Sequence, residues 1–528
     1  MTADVLVAGG GLGGVAAALA CARRGVPCVV CEPGPALGGQ LTAQAVPPDE
    51  HPCVERRGVT AGYRALREAI RERYRRHEPL TAAARARAEL NPGQGTVSRL
   101  CHEPRVSLAV LDELLAPHRA AGLVDVRLRH RPLSAEVEGD RITVVTFADE
   151  QDGGELVVRP RIVLEATETG VLLELAGVEH RVGAESVAQT GEPHARPRPE
   201  PGNLQPVTWC FAVDHRPGED HTIGRPPGYD EVAALRPAGL PAGHLTLTAP
   251  DPRTGAPVAR TFRPDPPGDP AAVGPDFDDP AGDRDLWLFR RIAAAGNFAP
   301  GAYAGDITLA CWPQLDFLGA PYLEGRADAP AAAEGARRLA RCFLHWLQTD
   351  APREDGGTGW PGLRLRGDAL GGGRDDLALA PYVREGRRLL GRRVVVEQDV
   401  AAAVRGPHGA VSHADSVGVG AYRIDLHPST GGDGYLDIAA CPFELPLGAL
   451  LPVRVRNLVA AGKAIATTHV TNGCHRVHPV EWNVGEAAGA LAATCVRGRT
   501  EPHAVHDDPR RLEAFRDGLA ADGVQLRW

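Results

Sequence analysis

The chain has 528 residues, of which 43% are hydrophobic, and it carries a formal net charge of −9. This length supports two or three lobes around more than one core, and the composition excludes a fibrous or disordered protein. The acidic balance, without a long basic run, argues against binding to nucleic acid or to an anionic membrane. No uninterrupted apolar segment could span a bilayer, and the first strand begins almost at Met1, so we expect a cytoplasmic location.

The N-terminal segment passes from an apolar run through a glycine cluster into an alanine-rich helical stretch, with the sequence DVLVAGGGLGGVAAALA. Gly9, Gly11 and Gly14 stand at GxGxxG spacing. That spacing provides a tight turn, close approach of a pyrophosphate to the backbone, and packing of helix on strand. A second apolar run ends at Glu32, whose carboxylate is placed to accept hydrogen bonds from ribose hydroxyls. The complete pattern predicts a dinucleotide site on a Rossmann-like domain.

The stretch after Glu32 reads PGPALGGQ, an extension that distinguishes FAD proteins from simple NAD dehydrogenases. It resembles the LGG segment of the glutathione-reductase-type flavoproteins. The resemblance implies that Gly38, Gly39 and Gln40 lie beside the ribityl chain and the pyrophosphate. The cofactor that we predict is therefore FAD.

The loop after this segment commonly runs beneath the flavin ring in the resembled fold. We therefore expect Gln44 to contact the substrate and His51 to be catalytic. The alternative for His51 is a loop histidine without a role, because loops commonly carry such polar residues.

The cysteines include one CxxC pair, Cys28 and Cys31. Because the pair lies inside the predicted second strand, we interpret both side chains as buried apolar residues rather than as a redox or metal site. No paired spacing of cysteine and histidine indicates a metal, and we predict none.

Three helices are predicted after the nucleotide motif: one from about Ala61 to Arg76, one from about Ser107, and an amphipathic one near Ala331 to Leu347. In the resembled fold the adenine is held by the backbone near Pro132, although proline has no N–H to donate. The strand that begins at Arg161 resembles the returning strand of an FAD domain, which implies that Ala166 and Thr167 contact the cofactor.

The region from Leu204 to Pro442 contains no second nucleotide fingerprint. Strand-like pieces at Val207 to Val213, His244 to Thr248 and Ile307 to Leu309 alternate there with long loops. We interpret residues 191–442 as a substrate-binding domain, and the chain shows no dedicated NAD(P)H domain.

The final third contains a strand, a glycine turn and Lys463, the only lysine in the chain. In the resembled fold Ala461 and Gly462 wrap the phosphate and ribityl groups. A helix is predicted to open at about Gly485, and its N-terminal residues Gly485, Glu486 and Ala487 would point the positive end of the helix dipole at the flavin.

These patterns predict an α/β protein. A Rossmann-like FAD-binding domain of glutathione-reductase type is built from both chain ends, residues 1–190 and 443–528, and residues 191–442 form an inserted α+β substrate domain.

Four stretches, LGGQLTAQAVPPDEH, WPQLDF, PYVREGRR and NLVAAGKAI followed by RVHPVEWNVGEAAG, look like the bacterial FAD-dependent oxidoreductase family. They occur from one end of the chain to the other, so the resemblance covers most of it. It implies FAD binding and redox chemistry, but no particular substrate. Asp316 in WPQLDF and Arg384 in PYVREGRR are candidates for binding a polar substrate, with an internal salt bridge as the alternative.

The function predicted is that of an oxidase or dehydrogenase. It would take a hydride from a small polar or natural-product-like molecule onto flavin N5 and be reoxidised by oxygen or an electron carrier. A base must accept the heteroatom proton, a role suited to histidine. Among the histidines near the predicted flavin helix and His427, which follows Asp425, we favour His475 together with His51.

Lys463 is the third catalytic candidate, as a cation that stabilises reduced flavin or promotes reaction with oxygen. Its alternative is a contact to phosphate or to a helix end. Two other functions remain open: a flavin monooxygenase that uses NAD(P)H, and a flavin-bearing RNA-modifying or scaffold protein, against which the acidic charge argues. The oligomeric state is not predicted.

Overall fold

The computed structural model describes residues 1–270 and 284–528. The strands are β1 Thr2–Ala8, β2 Cys28–Glu32, β3 Val124–Leu128, β4 His130–Glu138, β5 Arg141–Asp149, β6 Glu155–Glu165, β7 His180–Arg181, β8 Val207–Thr208, β9 Phe211–His215, β10 Thr248–Pro250, β11 Pro257–Ala259, β12 Arg291–Ala293, β13 Ile307–Ala310, β14 Asp316–Phe317, β15 Leu363–Leu365, β16 Tyr382–Val383, β17 Arg388–Leu389, β18 Ser416–Gly420, β19 Ile424–Leu426, β20 Leu436–Ile438, β21 Phe443–Pro446 and β22 Leu458–Ala460. The helices are α1 Leu12–Arg23, α2 Ala61–His77, α3 Ala82–Arg85, α4 Pro104–Ala120, α5 Val171–Leu175, α6 Val187–Thr190, α7 Tyr229–Ala234, α8 Leu286–Phe289, α9 Ala329–Thr349, α10 Glu397–Val400, α11 Ala402–Arg405, α12 His469–His475, α13 His478–Gly498, α14 Pro502–Asp507 and α15 Pro509–Ala521.

A parallel sheet of Rossmann type organises the N-terminal region, with the strand order β3-β2-β1-β6-β22. The inner strands are apolar because both of their faces are covered, and Cys28 and Cys31 are buried in β2 as expected. The last strand of this set, β22, comes from the C-terminal part of the chain and pairs with β6. Residues from the two ends of the chain therefore share one sheet.

The helix α13 packs closely against α1, and glycines make the approach possible. A Cβ atom on Gly485 would lie 2.0 Å from the carbonyl oxygen of Gly13, and one on Gly489 would lie 2.2 Å from that of Ala17. The helix begins at His478, with Pro479 in its first turn. The prediction that it opens at Gly485 was therefore wrong: Gly485, Glu486 and Ala487 lie inside the helix, where the small residues serve helix packing.

Pro132 does not stand at the end of β3. It lies within the antiparallel strand β4, opposite Phe147 of β5. The residue paired with Glu32 is Leu128, the last residue of β3. The position beside the acidic end of β2 therefore falls at Leu128 and the residues directly after it, and the placement near Pro132 was about four residues too late.

The three predicted helices are present as α2, α4 and α9, with ends that differ by two or three residues at most. The predicted strand Val207 to Val213 is divided, because β8 pairs with β14 and β16 while β9 pairs with β13 and β15 in a different sheet. Of the strand predicted at His244 to Thr248, only Thr248 lies in a strand, β10.

A separate aromatic core, which includes Trp287, Trp312 and Phe343, lies between α9 and the sheet of β9 and β13. In residues 1–270 and 284–528, no helix combines the length and the apolar character needed to cross a membrane.

Candidate functional site

The turn between β1 and α1 requires glycine for two different reasons. Gly9 has φ +101°, and a Cβ atom there would lie 2.2 Å from the carbonyl oxygen of Ala166. A Cβ atom on Gly14 would lie 2.1 Å from the carbonyl oxygen of Gly9. The motif therefore brings the start of α1 directly against the ends of β1 and β6.

Glu32 lies at the end of β2, beside this turn. Its carboxylate accepts hydrogen bonds from the backbone N–H groups of Gly10 and Gly34, each at 2.7 Å. Burial raises the pKa of its carboxyl group to about 8, although both backbone donors oppose the rise. An acidic acceptor thus stands where the sequence predicts a ribose contact.

Gly11 and Gly39 face each other across a narrow space. A Cβ atom on Gly39 would lie 3.0 Å from the Cα atom of Gly11, and one carboxylate oxygen of Glu168 lies 2.8 Å and 2.4 Å from the Cβ positions of Gly11 and Gly39. That oxygen, Oε1, is buried and has no hydrogen-bond partner among the described residues. We call this space the glycine cradle.

The glycine cradle fits the diphosphate of FAD. An anionic oxygen already stands there against two glycines at the N-terminus of α1, the position where helices bind phosphate. Lys463 binds only Oε2 of this carboxylate, so Oε1 has no partner among the described residues that a phosphate oxygen would have to replace. With Glu32 at the end of β2, the residues present match the two contacts that the dinucleotide motif requires.

A second carboxylate, that of Glu481 in the first turn of α13, also faces the start of α1. Its Oε1 atom accepts the N–H of Gly13 at 3.2 Å, and its Oε2 atom accepts the side-chain amide of Gln40 at 2.5 Å. Burial raises the pKa of Glu481 to about 7, which makes its charge dependent on pH near neutrality.

Lys463 and Gln44 hold the same backbone segment. The Lys463 ammonium donates to the carbonyl of Val383 at 2.6 Å and to Glu168 Oε2 at 2.5 Å. The side-chain oxygen of Gln44 accepts the N–H of Val383 at 3.1 Å. Gln44 is thereby engaged with β16 rather than with open space.

Four further predicted cofactor residues lie beside the end of β6. Ala166 and Thr167 directly follow β6, where the N–H of Thr167 donates to Glu165 at 2.7 Å. The N–H of Ala461 donates to the carbonyl of Glu165 at 2.7 Å, and a Cβ atom on Gly462 would lie 3.5 Å from the Cα atom of Ala166. The two predicted cofactor segments are thus adjacent.

A cavity of about 650 Å³ lies next to this region. Its wall includes Tyr382 and Arg384, the two neighbours of Val383, and Arg476, whose carbonyl accepts the side-chain amide of Gln40 at 3.1 Å. The glycine cradle and the cavity are therefore connected through Val383 and Gln40. Two predicted site residues, His51 and Arg384, line this cavity.

A chain of charged side chains crosses the cavity wall. His427 Nδ1 lies 2.5 Å from Asp316 Oδ2, and Arg384 Nη2 lies 3.1 Å from Asp316 Oδ1. Burial would raise the pKa of Asp316, but Arg384 and His427 hold it below its ordinary value. Burial lowers the pKa of His427, and Arg384 lowers it further. Asp316 is thus a carboxylate and His427 a neutral imidazole at neutral pH.

This arrangement leaves His427 able to accept a proton. Because Nδ1 donates to Asp316, the lone pair of the neutral ring is on Nε2. Nε2 has no hydrogen-bond partner in the part of the chain that the structure describes, and the nearest carboxylate oxygen, on Asp425, is 3.8 Å away. Asp316 fixes the ring orientation in the way that carboxylates orient catalytic histidines.

The two favoured histidines are placed differently. His475 is buried against Phe443, its Nδ1 lies 2.8 Å from the carbonyl of Thr471, and burial lowers its pKa to about 4. It does not line the cavity. His51 does line it, but Nε2 is engaged with the carbonyl of Gly58 at 3.2 Å, and Nδ1 is buried without a partner in the part of the chain that the structure describes.

Sequence reasoning did not single out Arg290, Tyr382 or Arg476 as cavity residues, and it weighed His427 without favouring it. Arg476 carries an ion pair with Asp425 at 2.8 Å and donates to the Tyr382 hydroxyl at 2.6 Å. The one available signal was the spacing of Asp425 and His427 in the sequence YRIDLH. Residues two apart in a strand point to the same face, so these two polar side chains are expected to lie side by side.

A family model described as FAD dependent oxidoreductase matches residues 4–519 of the chain. No curated protein matches it. Among solved structures it is similar to the flavin-dependent monooxygenase PieE, solved with FAD and substrate, at 19% identity and a TM-score of 0.23 over 40% of this chain and 35% of that one.

It is also similar to the myxobacterial chondrochloren halogenase CndH, at 18% identity and a TM-score of 0.23 over 42% of this chain and 45% of that one. The Diels-Alderase PyrE3 of pyrroindomycin biosynthesis has 14% identity and a TM-score of 0.33, with 99% of this chain and 70% of that one covered. The chain thus spans less than half the length of the monooxygenase and of the halogenase.

Proposed function

Because the chain belongs to the FAD dependent oxidoreductase family, we propose that this enzyme is an oxidase or dehydrogenase in which the organic substrate itself is the reductant. The substrate binds in the 650 Å³ cavity, and His427 accepts its proton. The observation that carries the proposal is the Asp316–His427 pair in the cavity wall, at 2.5 Å.

We further propose that FAD lies as in the glutathione-reductase-type fold. Glu32 would bind the ribose, while the glycine cradle and the N-terminus of α1 would bind the diphosphate. The pairing of β22 with β6 supports an FAD-binding domain made from residues 1–190 and 443–528, with residues 191–442 as the substrate domain. When bound, FAD supplies the hydride acceptor.

Residues of the protein accept the substrate proton and stabilise the positive charge that this transfer creates. The C–H hydrogen leaves the substrate with its electron pair, and the hydroxyl or amine proton goes to His427 Nε2, so that the product is a carbonyl compound or an imine. The imidazolium formed on His427 is stabilised by Asp316 Oδ2. Arg384 keeps Asp316 ionised for this purpose, since it holds the other carboxylate oxygen at 3.1 Å.

The first test is an anaerobic absorbance titration of the FAD-loaded protein. One sample receives NADPH. Separate samples receive mandelate, phenylalanine, benzyl alcohol or benzylamine. The proposal expects no bleaching of the flavin by NADPH and bleaching by at least one organic reductant. Rapid bleaching by NADPH, with recovery in air, would instead identify a monooxygenase or a reductase.

The second test assigns the proton acceptor. With a reductant identified in the first test, His427→Gln is expected to slow bleaching of the flavin by about 100- to 10,000-fold, the usual contribution of a general base. His221→Gln is the matched control, because that histidine is paired with Glu219 at the surface and lies away from the cavity. Equal rates for His427→Gln and the parent protein would remove His427 from this role.

A further inference from the structure

Two consecutive arginines, Arg290 and Arg291, have opposite surroundings. They lie at the junction of α8 and β12, where the carbonyl of Arg290 accepts the N–H of Leu309 at 3.0 Å. The Arg291 guanidinium is fully engaged, with Asp306 at 2.7 Å and the carbonyl of Gly93 at 2.7 Å. Arg290 points instead into the wall of the 650 Å³ cavity.

The Arg290 side chain has no counter-ion and no hydrogen-bond acceptor within residues 1–270 and 284–528. The residue is only 8% exposed, and its Nε and Nη1 atoms are buried without a partner. Its guanidinium carbon lies 5.1 Å from the centre of the Phe289 ring. A buried cation without an acceptor is costly, because no carboxylate among the described residues compensates for its lost hydration.

Nearby groups keep Arg290 charged without binding it. Burial alone would lower its pKa, but Cys311 and Asp49 hold the pKa above its ordinary value. The other buried arginines of the cavity each have an acidic partner: Arg384 pairs with Asp316 and Arg476 with Asp425. Arg290 is therefore the cation of this wall that a ligand can neutralise.

We propose that Arg290 binds a carboxylate of the substrate, which makes the substrate an organic acid that carries the oxidisable hydroxyl or amine. This inference rests on the proposed function, and it adds the substrate class. A guanidinium binds a carboxylate through charge-assisted hydrogen bonds. A monoanion fits better than a phosphate dianion, because Asp49 also lines the cavity and contributes negative charge near Arg290.

The test measures equilibrium binding to the FAD-loaded protein through changes in the flavin absorbance spectrum. Benzoate and acetate are compared with benzamide and acetamide, which have nearly the same shape without the charge. The parent protein is expected to prefer each carboxylate to its amide. Arg290→Met is expected to weaken benzoate binding about 10- to 100-fold, the range for a charge-assisted contact, and to leave benzamide binding unchanged.

Two further variants control for general effects. Arg423→Met removes a cation from the same cavity wall, but Arg423 is paired with Asp437, so benzoate affinity is expected to stay within about twofold. Arg290→Lys keeps the charge without the planar fork, and an intermediate affinity is expected. If Arg290→Met does not fold, the benzoate affinity of Arg290→Lys tests the inference in its place.

Four results would overturn the inference. They are equal affinity for carboxylates and amides in the parent protein, unchanged benzoate binding in the Arg290 variants, loss of FAD from those variants, and tighter binding of inorganic phosphate than of benzoate. Failure of the proposed function is distinguishable, because benzoate binding requires no hydride transfer. If carboxylates bind through Arg290 but no organic acid, alcohol or amine bleaches the flavin, the substrate-as-reductant proposal fails and the anion site remains.

Discussion

The Nδ1 atom of His427 lies 2.5 Å from Asp316 Oδ2, and Arg384 holds the other oxygen of the same carboxylate. The three side chains come from segments more than forty residues apart in the sequence. Asp316 also accepts the hydroxyl of Thr208 at 2.6 Å. This buried carboxylate therefore affects both the stability of the protein, through Arg384, and the pKa of His427.

Asp316→Asn should destabilise the protein, because it leaves Arg384 as a buried cation without its counter-ion. A loss of about 3 kcal/mol in the free energy of unfolding is expected, as for other broken buried ion pairs, and chemical denaturation measures it. Asp368→Asn is the control, since Asp368 is mostly exposed and its pair with Arg366 should contribute only about 0–1 kcal/mol. Equal losses for the two variants would contradict the importance of the buried pair.

The rate of flavin bleaching by the reducing substrate should depend on pH through His427. Burial lowers the pKa of this histidine below 6.5, and the base works only when neutral, so the rate should rise with pH through that lowered pKa and then stay constant. Asp316 raises the pKa of His427, so Asp316→Asn should shift the acid limb to lower pH. An acid limb that is unchanged in His427→Gln would assign it to another group.

Glu32→Ala should weaken FAD binding, because it removes the acceptor at the end of β2. Fluorescence titration of the cofactor-free protein with FAD measures the dissociation constant, and a rise of about tenfold is expected for the loss of a buried hydrogen-bond acceptor. Glu138→Ala is the matched control, because Glu138 is the exposed last residue of β4. FAD occupancy that is the same in both variants would remove Glu32 from the site.

Glu168→Gln should strengthen FAD binding. The Glu168 carboxylate stands in the glycine cradle, where it would repel the diphosphate, and its loss also releases Lys463 from their 2.5 Å ion pair. The same titration should show a dissociation constant lower by about tenfold. Weaker binding in this variant would mean that Glu168 supports the cofactor instead of occupying its place.

Gly485→Ala should lower stability through helix packing. The added methyl group would stand 2.0 Å from the carbonyl oxygen of Gly13, so α13 and α1 must separate, at about 1–3 kcal/mol for an overpacked contact. Thermal unfolding of Gly518→Ala provides the control, because a Cβ atom there meets nothing within 4 Å. If Gly485→Ala changes the melting temperature no more than the control does, α13 and α1 are not in close contact at Gly485 and Gly13.

Local patterns in the sequence predicted several elements well. The helix from about Ala61 to Arg76 is present as Ala61–His77, since its apolar spacing and terminal residues are properties of a short segment. The start of α13 was misplaced at Gly485, because a glycine among alanines is typical both of a helix N-terminus at a cofactor and of a close helix crossing. Only the position of Gly13 opposite Gly485 distinguishes the two.

The sequence by itself determined the dinucleotide motif, the acidic end of β2 and the family, because these depend on residues at short, fixed spacings. Only the tertiary structure decided which polar residues share the cavity. Asp316, Arg384 and His427 meet through long-range packing that no local periodicity encodes, and the isolation of Arg290 beside the fully paired Arg291 depends on which groups the fold places around each guanidinium. A charge's function follows from its partners, and those partners are set by the fold.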